Sequence, residues 1–286
     1  IYIIYNMNQG QYFKNIHSKF IEIWGEDRSA FLQGLITNDI NKCKDQKSAI
    51  YSCFLSAQGK FLADFFVIIK EDNILIEIHQ KYFESFYNKL NMYKLRSKVE
   101  LNEKINLSSY VIFSKKNLLL NNSIASFDDT RSINIGRKTY VKSDSEDIKN
   151  IHTLNELNID QYKKILIKNL IPYTPDDLIE NKSLLLENNF QNINAIDWEK
   201  GCYIGQEITA RMKYRALLKK KLYNLELISG NIKIGDTISN KEIIIGEVIS
   251  KSNKYLLCML KISLVEDLKI QKEIIKIDSQ TMLKFL

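Results

Sequence analysis

The chain is poor in the residues that interrupt or crosslink a fold. Its 286 residues include only 2 prolines, 10 glycines and 4 cysteines. The cysteines stand at positions 43, 53, 202 and 258 without a Cys-x-x-Cys pair, which argues against a self-contained zinc site or a ferredoxin-type cluster. Sparse, unpatterned cysteines in a chain of this length are typical of a reducing compartment.

Long apolar runs are also missing. None approaches the roughly 18 to 20 apolar residues that a membrane-spanning helix needs, and short runs such as FFVII at 65–69 are typical of strands. The first residues, IYIIYNMNQGQYF, lack the features of a signal peptide and the Arg- and Ser-rich composition of a mitochondrial transit peptide. We therefore expect no membrane partner and a bacterial cytoplasmic location, with the mitochondrial matrix as the alternative.

Positive charge is what the chain has in excess. Lys and Arg number 41 against 34 Asp and Glu, which gives a net charge of +7. Such a balance suits an anionic ligand or nucleic acid, and a lysine-rich background composition would produce the same value. Hydrophobic residues make up 45% of the chain, enough for an ordinary globular core.

Apolar periodicity predicts a mixture of strands and helices before residue 219. Alternation at 20–24 and between 48 and 80 predicts strands, and AQGK and KEDN divide the latter stretch into an antiparallel meander. Helical spacing and cap residues predict helices at 28–36, 81–98 and 160–172. The segment NAIDW at 194–198 is predicted to be a further strand, followed by a turn and by a helix from Gln206.

The pattern changes near residue 219. The short strands KLYNLELI, KEIIIGEVIS and KYLLCMLKI alternate with turn segments such as SGN and SNK, an arrangement typical of a small barrel or sandwich. We predict a first domain at 1–218 and a second at 219–286. The polar section 111–160 gives no clear pattern.

The most distinctive cluster is KGCYIGQE at 200–207. Gly201 would allow a bend that other residues adopt only at a cost, and Gly205 would precede a helix whose free N–H groups favour a thiolate. Lys200 adds positive charge. These features suit an exposed, reactive Cys202, but the residues alone favour a buried, inert cysteine in a tight turn, and only the resemblance described next reverses that preference. The other cysteines are predicted to be packing residues: Cys43, Cys53 and Cys258.

The stretch KGCYIGQEITARMKYR at 200–215 resembles the signature of the YgfZ-type proteins, folate-binding relatives of the glycine-cleavage T-protein (aminomethyltransferase) that serve iron–sulfur assembly. That signature is Lys-Gly-Cys-Tyr/Phe-x-Gly-Gln-Glu with an Arg four residues later. Every fixed position matches: Lys200, Gly201, Cys202, Tyr203, Gly205, Gln206, Glu207 and Arg211. Other segments are similar to the family in the same order: GEDRSAFLQGLITNDI, SAQGKFLADFFV, YKLRSKV and IGEVIS.

The resemblance implies both a fold and a role. The fold is α+β, a T-protein-like folate-binding region of α+β subdomains followed by a small C-terminal β-barrel. The role is that of an accessory factor that assembles or repairs [4Fe–4S] clusters with iron–sulfur assembly proteins and client enzymes. Whether such a factor is an enzyme stays open, although the fold is that of an aminomethyltransferase.

The resemblance also implies a group of residues around the thiol. The family depends on its signature cysteine, here Cys202, and the catalytic group would include Lys200, Gln206, Glu207 and Arg211. Cys202 would also bind a transient iron–sulfur cluster. Because clusters take four ligands, the others would come from a partner protein, a small thiol or a second copy.

The cofactor implied by the resemblance is tetrahydrofolate or a derivative. Asp64 matches the family's acidic residue, whose carboxylate accepts hydrogen bonds from the pterin edge. Arg96 would meet the glutamate tail, and Tyr203 would complete the cofactor site. The alternatives are an exposed strand residue for Asp64 and a solvated strand face for Arg96. The chain departs from the family at Leu166, near which relatives often carry Arg.

Two other functions stay open at this stage. An aminomethyltransferase of glycine cleavage would need the folate site but no Lys-Gly-Cys turn. An RNA-binding or tRNA-modification factor is suggested by the basic run 211–221, since cations in sequence can follow phosphates. Only Tyr214 is aromatic there, so we favour a solvated face and expect no nucleic-acid partner.

Overall fold

The computed structural model describes residues 10–43, 48–114, 118–215 and 218–286. The predictions about the first segment of the chain, residues 1–9, lie outside the described residues. Two compact units are distinguished. The first takes in the described parts of Ile1–Leu55, Leu62–Ile159 and Asn194–Ile204, and the second consists of those of Ser56–Phe61, Asp160–Ile193 and Gly205–Leu286. The division at 218/219 stays a prediction.

The secondary structure is numbered along the described chain. The strands are β1 Gln11–Asn15, β2 Ser18–Trp24, β3 Ile50–Leu55, β4 Phe61–Ile69, β5 Asn73–His79, β6 Glu100–Asn102, β7 Leu107–Phe113, β8 Ser123–Asp128, β9 Arg137–Lys142, β10 Asn155–Glu156, β11 Lys220–Ser229, β12 Thr237–Asn240, β13 Ile243–Ser252, β14 Tyr255–Lys261, β15 Ile275–Lys276 and β16 Met282–Phe285. The helices are α1 Arg28–Gln33, α2 Gln80–Lys94, α3 Asp147–Ile151, α4 Ile159–Lys168, α5 Thr174–Asp177, α6 Gln206–Tyr214 and α7 Ile262–Ile270.

Two five-stranded sheets form the frame of the first unit. One has the order β3-β4-β5-β2-β6, with α2 packed on β5 and β2. The other has the order β10-β1-β7-β9-β8 and is mixed, because β1 pairs parallel with β10 and antiparallel with β7. The sheets share a core: the rings of Phe20 and Tyr140 lie 5.1 Å apart, and those of Phe66 and Phe127 lie 5.9 Å apart.

The second unit contains a nearly closed six-stranded barrel. Its strand order is β12-β13-β14-β11-β16-β15, and the two end strands lie beside each other. Alternate residues of β11 point inward, as Tyr223 and Leu225 do, while Leu222 faces outward and packs with Ile167 of α4. The predicted α+β class and C-terminal barrel are therefore confirmed, as are the strands predicted from KLYNLELI, KEIIIGEVIS and KYLLCMLKI.

Several boundaries differ from the prediction. The helix α1 ends at Gln33 rather than near 36, and α2 ends at Lys94 because Leu95 takes a φ of +40°. The basic segment 94–98 consequently lies at a helix end and turn, not on a strand face. The prediction of a strand at 194–198 is wrong. Its backbone groups instead bond to the segment after α1, and Asp197 N donates to Thr37 O.

In the ranges that the structure describes, no helix is both long enough and apolar enough to span a membrane.

Candidate functional site

The segment before the signature is held by a buried carboxylate. Asp197 accepts hydrogen bonds from the backbone N–H groups of Glu199 (2.7 Å) and Lys200 (3.1 Å). Its other oxygen lies 2.5 Å from Lys42 Nζ. Burial alone would raise the pKa of Asp197, but Lys42 and the two N–H groups hold it below its ordinary value. Asp197 is thus an anionic cap that fixes the entry to the signature.

Lys200 anchors the signature rather than projecting into solvent. Its ammonium donates to the carbonyl oxygens of Gln33 (2.7 Å), Ile36 (2.6 Å) and Asn38 (2.9 Å). These bonds engage all three donors of the ammonium and satisfy carbonyls at and after the end of α1. Burial lowers the pKa of Lys200 to about 8, against the opposing charges of Asp39 and Asp197. The side chain is therefore protonated and fully engaged at neutral pH.

Cys202 follows this anchor directly and is exposed, whereas the other cysteines are buried. The predicted exposure of the signature thiol and the predicted packing roles of Cys43, Cys53 and Cys258 are confirmed. The prediction for Gly201 is wrong. This glycine does not adopt a left-handed φ, and a Cβ added there would meet nothing within 4 Å. The bend before the thiol is produced by Asp197 and Lys200, so a glycine is not sterically required.

The chain passes from the first unit to the second after Ile204. Gly205 takes a φ of +82° and is the N-cap of α6, so the predicted helix start is confirmed. The turn between β3 and β4 approaches this start closely: at Gly59 a Cβ would lie 2.8 Å from Ile208 Cβ and 2.9 Å from Gly205 O. Gly59 is therefore a residue that the structure requires and that the sequence analysis did not single out.

The remaining signature side chains lie on α6. Glu207 and Arg211 are one helical turn apart and form an exposed ion pair. Gln206 is the first residue of the helix. The resemblance implies that both residues belong to the site. Because they pair with each other, Arg211 does not provide an unpaired cation.

Asp64, the predicted folate ligand, lies partly buried on β4. It accepts a hydrogen bond of 2.6 Å from the Tyr51 hydroxyl. The guanidinium of Arg131 lies over the Tyr51 ring at 5.2 Å and over the Phe66 ring at 5.1 Å, and pairs with buried Asp129. Because the Tyr51 and Phe66 rings are buried, what this site offers a pterin is the Asp64 carboxylate as a hydrogen-bond acceptor.

Tyr203 and Asp64 share a neighbour in the core, Cys53 on β3. Burial raises the pKa of the Cys53 thiol, and the charge of Asp64 raises it further. Burial likewise raises the pKa of Tyr203, with a further contribution from Cys53. Cys53 is therefore within electrostatic range of both Asp64 and Tyr203, two of the predicted cofactor residues. Arg96 lies exposed in the segment after α2.

Sequence analysis missed the side chains that join the signature to the rest of the first unit. Thr37 Oγ1 donates to Ala195 O (2.6 Å), and Asn38 Nδ2 donates to Asn194 O (2.7 Å) and Tyr51 O (2.9 Å). Both residues are buried. The segment TND after an apolar helix was the available signal, since polar residues at a helix end commonly satisfy backbone groups.

Among the described residues, no three side chains of His, Cys, Asp or Glu converge as a metal site. The roles predicted for Cys202, Lys200, Gln206, Glu207, Arg211, Asp64, Arg96 and Tyr203 stay predictions.

Comparison with known proteins gives relatives in iron–sulfur assembly. The chain is 28% identical over 230 residues to the iron–sulfur cluster assembly factor IBA57 homolog, mitochondrial, of Neurospora crassa, covering 71% of this chain and 51% of that protein. It is 29% identical over 225 residues to the protein of the same name from Mycosarcoma maydis, covering 73% and 55%. The chain spans less than two thirds of the length of these curated relatives. No family model matches it.

A solved structure supports the fold. The aminomethyltransferase T of the glycine cleavage system from Bartonella henselae aligns with a TM-score of 0.75 at 12% identity, over 97% of this chain and 85% of that one. At this identity the likeness shows the fold alone. The resemblance inferred from the signature is therefore confirmed: the chain is similar in sequence to proteins named iron–sulfur cluster assembly factors and has the fold of the glycine-cleavage T-protein.

Proposed function

We propose that the protein is an accessory factor in the assembly or repair of iron–sulfur clusters, chiefly [4Fe–4S], and that it acts through the Cys202 thiol. The observation that carries the proposal is the contrast among the four cysteines. Cys202 is exposed on a loop fixed by Asp197 and Lys200, while the others are buried. An exposed thiol on an anchored backbone is accessible to a partner and fixed in direction.

The names of the relatives support the same function. The names of those proteins describe them as iron–sulfur cluster assembly factors and as mitochondrial. We therefore propose assembly proteins and client [4Fe–4S] enzymes as partners, and these names favour the mitochondrial matrix, while a bacterial cytoplasmic location stays a prediction. A cluster bound through Cys202 would take its remaining ligands from a partner protein, a small thiol or a second copy.

The proposal includes tetrahydrofolate or a derivative as cofactor. Asp64, held by the Tyr51 hydroxyl, would accept from the pterin N–H groups, and Tyr203 would complete the cofactor site. Arg96, exposed after α2, would meet the glutamate tail. When bound, the folate would act as a structural ligand or as an electron donor. The residues of this chain would bind and orient the folate.

Complementation tests the role of the thiol. In a strain lacking its own factor, the wild-type chain is expected to restore the activity of a [4Fe–4S] enzyme, and Cys202→Ser is expected to restore no more than an empty vector. The matched control is Glu199→Gln, an exposed substitution on the same loop, which should restore activity fully. Full restoration by Cys202→Ser, with equal protein levels, would contradict the thiol role.

Titration with tetrahydrofolate tests the cofactor separately. Saturable binding is expected, weakened by Asp64→Asn because an amide has one acceptor oxygen where a carboxylate has two. Asp72→Asn, an exposed substitution in the turn after the same strand, β4, should leave binding unchanged. If both variants bind as tightly as the wild type, Asp64 is not part of a folate site.

A further inference from the structure

One face of the barrel in the second unit carries a row of polar and aromatic side chains across three strands. Tyr255 on β14 lies directly opposite Glu226 on β11, and Glu226 lies opposite Lys284 on β16. Residues directly opposite in antiparallel strands share a face of the sheet. This row continues the outward face on which Leu222 and Leu257 pack against Ile167 of α4.

Two lysines of α4 extend over the same row. Lys164 Nζ lies 5.4 Å from the centre of the Tyr255 ring, and Lys168 Nζ lies 4.3 Å from it. Lys254, in the turn before β14, places its ammonium 5.7 Å from the same ring. We call Lys164, Lys168, Lys254 and Lys284 the lysine cluster. Three of its ammonium groups thus converge on a single aromatic ring.

Positive charge in the lysine cluster exceeds the negative charge available to it. Glu226 bonds both Lys254 and Lys284, and these two lysines hold the pKa of its carboxyl below the ordinary value. Within the described part of the chain, Lys164 and Lys168 form no ion pair. Four ammonium groups against one carboxylate leave a net charge of +3. Cation–π contacts with Tyr255 offset only part of the repulsion among them.

The backbone that carries the two unpaired lysines is fixed. Asn224 Nδ2 donates to the carbonyl oxygens of Ile167 (3.3 Å) and Lys168 (3.1 Å), and the Ser252 hydroxyl donates to Asp160 O (2.9 Å). These bonds hold both ends of α4 against strands β11 and β13. The lysines therefore converge without the ordering of a loop, which is the condition for a preorganised site.

We propose that the lysine cluster binds a small multivalent phosphate, of the size of pyrophosphate or the phosphate chain of a nucleoside triphosphate. Three ammonium groups around one ring, in a cluster with a net charge of +3, match adjacent phosphoryl groups on one molecule. Phosphates along a nucleic-acid strand are spread over a longer path than one ring provides. Lysine ammonium groups bind phosphate as point charges, and the Tyr255 ring offers a stacking face to a nucleobase.

Calorimetric titration of the full chain tests the site. Inorganic pyrophosphate at low ionic strength is expected to bind saturably, and affinity should fall as salt is added because the site is exposed. Lys164→Met/Lys168→Met should weaken binding about tenfold or more. The matched control is Lys241→Met/Lys276→Met, which removes the same charge from two exposed positions of the same unit and should bind pyrophosphate like the wild type.

Titrations with other ligands identify what the lysine cluster binds and define the results that would overturn the proposal. Tighter binding of a nucleoside triphosphate than of tripolyphosphate would assign the Tyr255 ring to a base, and equal binding would assign the site to the phosphates alone. Either result supports the proposal. Equal weakening in both double variants, non-saturable heats, or tighter binding of a single-stranded RNA than of pyrophosphate would overturn it. Because these readouts involve neither Cys202 nor Asp64, the result is independent of the proposed function.

Discussion

The two units of the molecule differ in what they bury. The first encloses charged groups: the pair of Glu77 with Lys138 and that of Asp129 with Arg131, and the carboxylate of Asp197, whose partner Lys42 is exposed. The barrel of the second encloses an apolar core that contains Cys258. In the first unit Cys43 and Cys53 are buried, and Cys202 stands exposed on a loop held by charged groups, whereas the thiol of Cys258 is sealed in the barrel.

This contrast indicates that the free-energy cost of burying charged groups falls in the first unit. A buried ion pair seldom stabilises a fold more than apolar side chains of the same size would. We therefore explain these pairs by the segments that they hold in place rather than by a gain in stability. In the first unit they fix strands and loops that carry Asp64, Tyr203 and Cys202. The barrel is stabilised in the ordinary way, by apolar burial. The predictions below test this difference, beginning with the largest expected effect.

Breaking the buried pair of Lys138 and Glu77 should have the largest effect. Both side chains are 4% exposed, and Glu77 also accepts from the Tyr140 hydroxyl at 2.7 Å. Lys138→Met leaves a buried carboxylate without its cation, so the free energy of unfolding should fall by about 3–5 kcal/mol. Urea denaturation measures this, with Lys149→Met in an exposed pair as control, expected to lose less than about 1 kcal/mol. Equal losses would contradict the distinction.

Removing the Lys200 anchor should have the next largest effect. Lys200→Met deletes three hydrogen bonds to backbone carbonyls, and we expect a loss of about 2–3 kcal/mol in the free energy of unfolding. Amide hydrogen exchange of 198–204 should also accelerate. Lys104→Met, exposed in the same unit, is the control. Unchanged exchange in Lys200→Met would mean that the loop is held by other groups.

In the second unit, Asp177 is expected to make stability depend on pH. Burial raises its pKa to about 7, although Tyr173 N, Ser250 and Lys163 lower it. Because the folded pKa exceeds the unfolded one, the contribution is complete below the unfolded pKa and is lost as pH rises through about 7. Between pH 5 and pH 8 the free energy of unfolding should fall by about 2 kcal/mol from this group.

The matched variant for this titration is Asp177→Asn, which imitates the protonated carboxyl. Thermal melts of both proteins between pH 4 and pH 8 should come together toward pH 4, near the unfolded pKa of Asp177, and separate by pH 8, with the variant more stable. Parallel curves over the whole range would show that Asp177 does not titrate there.

The smallest effect should come from the exposed pair of Glu207 and Arg211 on α6. Surface pairs one helical turn apart are worth about 0.3–0.5 kcal/mol, so Arg211→Gln should lower the free energy of unfolding by no more than that. A double-mutant cycle with Glu207→Gln measures the coupling. A coupling energy above about 1 kcal/mol would make this exposed pair as strong as the buried pairs, and would contradict the distinction between them.

Local patterns predicted the elements of the fold well. Alternation in KLYNLELI and KYLLCMLKI was sufficient because one face of each strand is buried in the barrel. It failed for NAIDW, whose apolar residues pack while its backbone bonds to Thr37 and Asn38 instead of a strand. That failure has a physical cause, since strand propensity describes burial and not the identity of the hydrogen-bond partner.

The candidate site was predictable only where it is local. The signature predicted an exposed Cys202 and a helix from Gln206, because both follow from neighbouring residues. The anchoring role of Lys200 depends on carbonyls more than 160 positions away, and the buried partner of Lys138 is Glu77, on another strand. No periodicity in the sequence encodes such pairs. Gly201 was misjudged because its neighbours, not its own φ, produce the bend.

The central claim is that Cys202 alone presents a reactive thiol. Pulsed alkylation of the native protein with iodoacetamide, followed by peptide mass analysis, measures the rate at each of the four cysteines. We expect Cys202 to be modified at least about 100-fold faster than Cys43, Cys53 and Cys258, whose modification should require opening of the fold. Modification of any buried cysteine at a rate similar to that of Cys202 would contradict the account.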